Sequence, residues 1–207
     1  MEAATADLLA VVREGQGYFD ADPDRFYVAV ASTLDPIVDF KRFARSVMAV
    51  YAKRASAEQH ERFAKTFRWQ LVRTYAKALL EFGNETISVL PAEGKRRRPD
   101  RETVKMEVIS ADGNTYPVEY SMVLYDDGQW RLRNVIINGL NLGLTYRHQF
   151  AEAMQDRKNN KDIDRVIDGW SEVPVAAETP SITEYDGGGA NAATPEPAPA
   201  GTAADPH

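Results

Sequence analysis

Few residues of this chain have the types and spacing that enzymatic chemistry requires. Asp126 and Asp127 form an acidic pair that could act as general acid and base, but they precede a glycine between two predicted strands, where aspartate favours a tight turn. His60, His148 and His207 are too far apart in sequence for a metal site without several distant carboxylates. With no cysteine, thiolate ligands and thiol nucleophiles are excluded. We expect no metal, no cofactor and no catalytic residue.

Composition and motif content narrow the function classes further. The chain has 207 residues and a formal net charge of −6, which argues against nucleic acid as a partner. No glycine-rich phosphate loop and no G-x-S-x-G elbow occurs in it. The strongest sequence grounds for a nucleotide enzyme or a serine hydrolase are therefore missing.

Two features bear on where the protein resides. No apolar run approaches the roughly 18 to 20 residues that span a bilayer. The start MEAATADLL lacks the basic and apolar parts of a signal peptide, but it would also suit an exported protein whose leader has been removed. These two features therefore leave both an exported and a non-exported location open.

The first eighty residues carry helical periodicity. A helix is predicted from Thr5 to Phe19, and Asp22 followed by proline starts a second. Asp39 begins a third, while Ser56 with Gln59 three residues later predicts the capping box of a fourth and longest helix, ending near Phe82. A last amphipathic helix is predicted over Asp162 to Trp170.

Between the fourth and the last helix the period changes to two. Strands are predicted over Thr86 to Leu90, Thr103 to Ser110, Tyr116 to Tyr125 and Gln129 to Ile137, which makes an antiparallel meander. In the last strand, alternation puts Trp130, Leu132 and Ile136 on one face and Arg131, Arg133, Val135 and Ile137 on the other. The chain then bends at Asn138 and Gly139 into a helix with Leu142, Tyr146 and Phe150 on one side.

These elements predict an α+β fold, with helices packed on one curved antiparallel sheet of four or five strands. One domain is expected over residues 1–173. Residues 174–207 are rich in alanine, proline and glycine, and such a segment cannot bury enough apolar surface to order itself. We expect a disordered tail there, and a monomer.

Three groups of residues allow both a structural and a functional interpretation. The apolar stripes of the helices, such as Phe63, Phe67 and Leu71, suit either a filled core or a pocket. The basic run Lys95, Arg96, Arg97 and Arg98 suits a solvated loop or a surface for an acidic partner or anionic headgroups. Arg147 suits an exposed position or the mouth of a cavity.

The corner after the sheet resembles a known family. The pattern W-x-L-x-x-V-x-x-x-G-x-x-L-x-x-x-Y-R-x-x-F runs from Trp130 to Phe150, and the segment EQHERFAKTFRWQLVRTYAKAL has an F-x-x-x-F-x-x-x-L-x-x-x-Y rhythm. Both resemble the MlaC family, also called the toluene-tolerance auxiliary family. Where the family often has aspartate and serine, this chain has Asn134 and Asn141.

The resemblance implies a non-enzymatic periplasmic phospholipid carrier that maintains outer-membrane lipid asymmetry. It implies phospholipid as cargo, and as partners an MlaA-type outer-membrane lipoprotein and porin complex and an MlaD-type inner-membrane MCE protein with an ABC transporter. Arg147 would lie near the headgroup, and Lys95 to Arg98 would dock the partner or membrane. The acyl chains would lie in an apolar cavity between helices and sheet, lined by Phe40, Phe43, Val47, Met48, Tyr51, Phe63, Phe67, Leu71, Tyr75, Val104, Met106, Val108, Val118, Tyr120, Met122, Leu124, Val135, Ile137, Leu142, Tyr146 and Phe150.

Two other interpretations stay open. The chain could be a small cone-shaped enzyme resembling isomerases, with Asp126, Tyr120 or Tyr146 as acid or base in an apolar pocket. It could also be an interaction module with a filled core. A cavity large enough for hydrocarbon favours the carrier, a small one with a buried carboxylate favours the enzyme, and no cavity favours the module.

Overall fold

The computed structural model of the protein describes residues 2–80, 86–91, 98–109 and 113–172. Helices and strands alternate in blocks, as predicted for an α+β fold. The elements are α1 (Glu2–Gln16), α2 (Pro23–Leu34), α3 (Phe40–Met48), α4 (Ala57–Leu79), β1 (Thr86–Val89), β2 (Arg101–Ile109), β3 (Thr115–Leu124), β4 (Trp130–Ile137), β5 (Leu140–Asn141), α5 (Leu142–Gln155) and α6 (Ile163–Asp168). Short 3₁₀ segments follow α3, α5 and α6.

The helices begin where their capping residues predict. Asp22 and Asp39 accept hydrogen bonds from backbone N–H groups in the first turns of α2 and α3, and Asp162 does the same for α6. Before α4, the Ser56 hydroxyl accepts from the N–H of Gln59 at 3.1 Å, and the Gln59 side chain accepts from the N–H of Ser56 at 2.9 Å. This reciprocal pair confirms the predicted capping box.

The strands form one antiparallel sheet in sequence order, β1-β2-β3-β4-β5. The predicted meander is therefore confirmed. Its fifth strand consists of only two residues and pairs with the end of β4 just before α5 begins.

The predicted alternation in β4 is wrong after its third residue. Leu132 pairs with Met122 and Ile137 pairs with Val118, so both lie on one face of the sheet although they are five residues apart. The ladder shifts register between these pairs and leaves Arg133 without a partner on β3. This β-bulge adds one residue to β4 and moves all that follows to the opposite face.

Two apolar clusters hold the helices together. The larger joins α3, α4, α5 and α6 through stacked and edge-on rings, with Phe63 lying 5.1 Å from Trp170 and 4.9 Å from Phe150 between ring centroids. The smaller joins α1, α2 and α4 around Phe26 and Val72. Nearly all of the larger cluster comes from helices, and the sheet only borders it.

The corner between the sheet and α5 is fixed by asparagine side chains. Asn138 and Gly139 have positive φ angles of 49° and 82° at the bend. The Asn134 amide donates to Asn141 at 2.9 Å, and its carbonyl oxygen accepts from the N–H of Gly143 at 2.9 Å. Asn141 also caps α5 by accepting from the N–H of Leu144. Asn134 and Asn141 therefore supply the side-chain hydrogen bonds that hold this corner together.

This corner leaves no room for a side chain at Gly143. A Cβ atom there would lie 2.5 Å from the Asn134 side-chain oxygen, so we expect Gly143→Ala to lower the free energy of unfolding by about 1–3 kcal/mol. Chemical denaturation measures the loss. Gly17→Ala is the control, because the nearest atom to a Cβ there is the Glu14 backbone oxygen at 3.4 Å, which is an ordinary contact distance. A loss from Gly143→Ala that is no smaller in an Asn134→Ala background would contradict this explanation.

Some predictions concern residues that the structure does not describe. Three predicted features lie outside the described residues: the end of the fourth helix near Phe82, the basic residues Lys95, Arg96 and Arg97, and the tail 174–207. Within the described ranges, no helix combines the length and apolar character needed to cross a membrane.

Candidate functional site

An apolar cavity lies between α1, the end of α2, the end of α4 and one face of the sheet. Its volume is about 200 Å³. Hydrocarbon, thioether and hydroxyl-bearing side chains line it, and none of the described lining residues is charged: Ala4, Thr5, Leu8, Leu9, Val12, Leu34, Ile37, Val38, Leu79, Ile87, Met106, Val108, Tyr116, Val118, Tyr120, Leu132 and Ile137.

The sheet supplies the floor of this cavity through alternation along paired strands. Met106 on β2 is in register with Val118 on β3, which is in register with Ile137 on β4. These three side chains therefore form a row on the inner face, and Met106 and Val118 are buried. Because of the β-bulge, Leu132 joins the same face.

Helix α1 supplies the wall opposite the floor. Leu8 and Leu9 border the cavity and are only partly buried, whereas Val12 is fully buried against α2. The end of α1 is held tightly. Gly15 lies against the ring of Phe26, and the Gln16 side chain donates to the backbone oxygen of a residue just after α4 at 3.0 Å. The second half of α1 is thus held both by burial at Val12 and by close contacts at its last turn.

A third wall comes from the short connection between α2 and α3. The N–H of Leu132 donates to the Ile37 oxygen at 2.7 Å, and the N–H of Asp39 donates to the Leu132 oxygen at 3.1 Å. These bonds attach the connection to β4 beside the bulge. Ile37 and Val38 consequently face the cavity.

The structure brings only some of the predicted lining residues to the cavity. Met106, Val108, Val118, Tyr120 and Ile137 border it. Four more predicted residues are on the same face of the sheet by register without bordering it: Val104, Met122, Leu124 and Val135.

The helical residues predicted to line the cavity lie elsewhere. They pack in or against the larger core cluster and do not border the cavity: Phe40, Phe43, Val47, Met48, Tyr51, Phe63, Phe67, Leu71, Tyr75, Leu142, Tyr146 and Phe150. Sequence reasoning missed the whole α1 wall and the connection before α3. Those residues are apolar in the sequence, but periodicity alone does not separate a packed side chain from one that faces open space.

The basic residues singled out in the sequence do not border the cavity where they are described. Arg147 is exposed on α5. Arg98 is exposed and forms an ion pair with Asp100 at 3.2 Å. A role for either at a headgroup or a partner stays a prediction.

A second, larger concavity of about 550 Å³ is open and charged. It lies beside the start of α3, where the ring of Tyr125 is flanked by the guanidinium groups of Arg42 and Arg131 at 4.8 and 4.7 Å. The Tyr125 hydroxyl donates to Asp39, and Arg68 makes two hydrogen bonds to Asp35. Charges that are paired with each other in this way suit a solvated surface and not a place for hydrocarbon.

The candidate acids and bases are not brought together. Asp126 is exposed in the turn before β4, and hydrogen bonds from Arg131 hold the pKa of its neighbour Asp127 below the usual range. Tyr120 borders the cavity, while Tyr146 is buried in the helical core. Burial raises the pKa of both tyrosines, so they stay protonated near neutral pH and are poor bases. In the part of the chain that the structure describes, no group of histidines and carboxylates could hold a metal ion.

The comparisons with known proteins all find similarity to MlaC and toluene tolerance proteins. The family model described as MlaC protein matches residues 2–172. The toluene tolerance protein ttg2D of Pseudomonas putida is 38% identical over 83% of this chain and 78% of its own length. The intermembrane phospholipid transport system binding protein MlaC of Haemophilus influenzae is 26% identical over 69% of this chain and 67% of its own.

A solved structure shares the fold. The phospholipid-binding protein from Ralstonia solanacearum, determined in complex with a phospholipid, aligns with a TM-score of 0.73 over 83% of this chain and 94% of its own, at 24% identity. The match of the family model over most of the sequence, together with the ttg2D relative, decides the classification: this chain belongs to the MlaC family.

Proposed function

We propose that this protein is a carrier that binds a phospholipid by its acyl chains in the cavity between α1 and the sheet. The observation that carries the proposal is a lining whose described residues are all uncharged and come from separate elements of the fold. The names of its relatives support it, since one is a phospholipid transport binding protein and a structural neighbour was solved with a phospholipid. The headgroup would remain in water at the mouth.

The energetics of lipid in water set the requirement for such a carrier. A two-chain phospholipid has about 30 methylenes, and at about 0.8 kcal/mol each their removal from water is worth about 25 kcal/mol. A cargo held by that much burial does not dissociate quickly by itself. Transfer therefore takes place while the carrier is docked to a partner that offers an apolar route.

The cavity must enlarge to accept this cargo. A cavity of about 150 Å³ accommodates benzene, so the 200 Å³ present here accommodates only a short length of hydrocarbon. Two features favour expansion at the α1 wall. Leu8 and Leu9 are only partly buried, and α1 is anchored at its last turn. Met106 in the floor can also adapt its shape.

We expect lipid loading to move the first turns of α1 away from the sheet. The protein has no cysteine, so engineered cysteines label uniquely. Spin labels at Ala6→Cys on α1 and Thr103→Cys on β2, both exposed, should give a longer distance in the loaded protein by pulsed electron spin resonance. The control pair, Lys77→Cys on α4 with Thr103→Cys, should not change. An equal lengthening of both pairs would mean that the sheet moves and α1 does not.

The enzymatic alternative has less support. A buried carboxylate in the pocket would favour it, and none of the described residues that line the cavity is acidic. Tyr120 does line the cavity, but burial raises its pKa and makes it a poor base. A module with a filled core would have no cavity at all. We therefore propose that the protein has no catalytic activity and binds no cofactor.

We further propose the periplasm as the location and an intermembrane route for the cargo, as membership of the MlaC family suggests. The partners would be an MlaA-type outer-membrane lipoprotein and porin complex and an MlaD-type MCE protein with its ABC transporter. Arg147 and the basic residues Lys95 to Arg98 stay candidates for headgroup and docking contacts.

Extraction of the purified protein tests the carrier function directly. Protein from a bacterial host is denatured in organic solvent, and the released lipids are identified by mass spectrometry. We expect phospholipid in near-stoichiometric amount, and an unchanged amount in Asp127→Asn, whose side chain is exposed in a turn. Protein that carries no phospholipid and takes none up from vesicles would contradict the proposal.

A further inference from the structure

The described lining of the cavity is mostly hydrocarbon, but three of its seventeen described side chains carry a hydroxyl group. They are Thr5 on α1 and Tyr116 and Tyr120 on β3. A polar group in an apolar site is informative, since burial without a hydrogen-bond partner is unfavourable. Whether each of these three hydroxyls has a hydrogen-bond partner within the protein therefore indicates what the site can bind.

The three hydroxyls differ in how they are held. Tyr116 takes part in a further interaction within the protein. Thr5 is only partly buried on the first turns of α1, the wall that we expect to move outward when lipid is loaded, and no described residue pairs with its hydroxyl. Thr5 therefore has no fixed place relative to the sheet in the loaded protein.

Tyr120 combines a fixed place in the sheet with a hydroxyl that no described residue pairs with. It lies at the middle of the sheet, in register with Val104 on β2 and Val135 on β4, and its inner-face neighbours along the strand are Val118 and Met122. Among the residues that the structure describes, its hydroxyl has no hydrogen-bond partner. Burial raises the pKa of Tyr120, so the group stays a neutral donor. The described side chains nearest to it along and across the strands are hydrocarbon or thioether groups.

We propose that the Tyr120 hydroxyl binds an ester carbonyl oxygen of the cargo, so that the site selects acyl esters over ether-linked chains. This inference rests on the proposed function. Along a phospholipid, the hydrocarbon has no acceptor and the charged phosphate needs water, whereas the ester carbonyl is a neutral acceptor directly joined to the chain. A neutral donor fixed on the sheet among hydrocarbon side chains matches that group in charge and in polarity.

Competition between two lipids tests the assignment. Vesicles containing equal amounts of dioleoyl phosphatidylcholine and its dioleyl ether analogue are mixed with lipid-free protein, and the bound lipids are quantified by mass spectrometry. The unchanged protein should prefer the ester by about 2- to 10-fold, the net effect of one neutral hydrogen bond. Tyr120→Phe keeps the ring and should bind both lipids equally. Thr5→Val and Tyr116→Phe should keep the preference.

A second readout does not depend on relative affinity. Lipid labelled with ¹³C at the ester carbonyls should show a lower carbonyl stretching frequency in the unchanged protein than in Tyr120→Phe, with thermal unfolding confirming that both are folded. Equal binding of ester and ether lipid by the unchanged protein would overturn the proposal. So would a preference that survives in Tyr120→Phe or disappears in Thr5→Val or Tyr116→Phe. Uptake of neither lipid by the unchanged protein would overturn the carrier function as well.

Discussion

Replacing Val118 with aspartate is expected to lower the amount of bound phospholipid at least about 10-fold, because it puts an ionisable group where the acyl chain of the proposed cargo would lie. Val118 is 7% exposed and lies in the cavity floor between Met106 and Ile137. Either the carboxylate draws water into the cavity or it becomes protonated, and both outcomes cost binding free energy. Organic extraction with mass spectrometry, normalised to folded protein, measures the effect.

The matched control is the same substitution on the same strand. Val123 lies on the opposite face of β3, in register with Arg101 and Arg131, so Val123→Asp places its carboxylate beside cations and outside the cavity. We expect it to retain its lipid. Thermal unfolding of both variants separates loss of lipid from loss of fold. Normal lipid content in a folded Val118→Asp protein would show that the cargo lies elsewhere.

Replacing Phe67 with alanine is expected to cost about 3–5 kcal/mol of unfolding free energy while leaving the lipid content per folded molecule unchanged. Phe67 is fully buried, with ring centroids 5.2 Å from Phe43, 5.8 Å from Phe63 and 5.2 Å from Tyr146. Its removal leaves a void inside the helical core, and Phe67 does not border the proposed lipid cavity. Denaturant titration and lipid extraction measure the two quantities separately.

Trp69→Ala on the same helix is the control for this variant. Trp69 is 37% exposed and its ring lies 5.0 Å from the Arg68 guanidinium, so its loss should cost less than about 1 kcal/mol. A Phe67→Ala protein that stays stable but loses its lipid would show that the helical aromatics line the site after all.

Local signals in the sequence predict most of the fold. Asp22, Asp39 and Ser56 mark helix starts because a side-chain oxygen satisfies the free N–H groups of a first turn, which is a contact within three residues. The strands follow from alternation, and the corner after β4 follows from Asn138 and Gly139. Such features need no knowledge of distant parts of the chain.

The site is less predictable because it depends on distant contacts. Phe63 and Leu8 are both apolar and at helical spacing, yet the first is packed in a core and the second faces a cavity. That difference depends on where α1 lies relative to the sheet, which no local pattern contains. The bulge at Arg133 is a further example. It moves the side chains that follow to the opposite face of the sheet, and the residue types in the strand do not reveal it.

The most direct test of the account is to find which residues the acyl chain touches. Purified protein is loaded with a phospholipid bearing a photoactivatable diazirine in its acyl chain, illuminated, digested and mapped by mass spectrometry. We predict cross-links to the inner face of β2 and β3, around Met106 and Val118, and to Leu8 and Leu9 on α1. Cross-links confined to the aromatic core of α3, α4 and α5, or to the charged surface around Tyr125, would contradict a cargo site between α1 and the sheet.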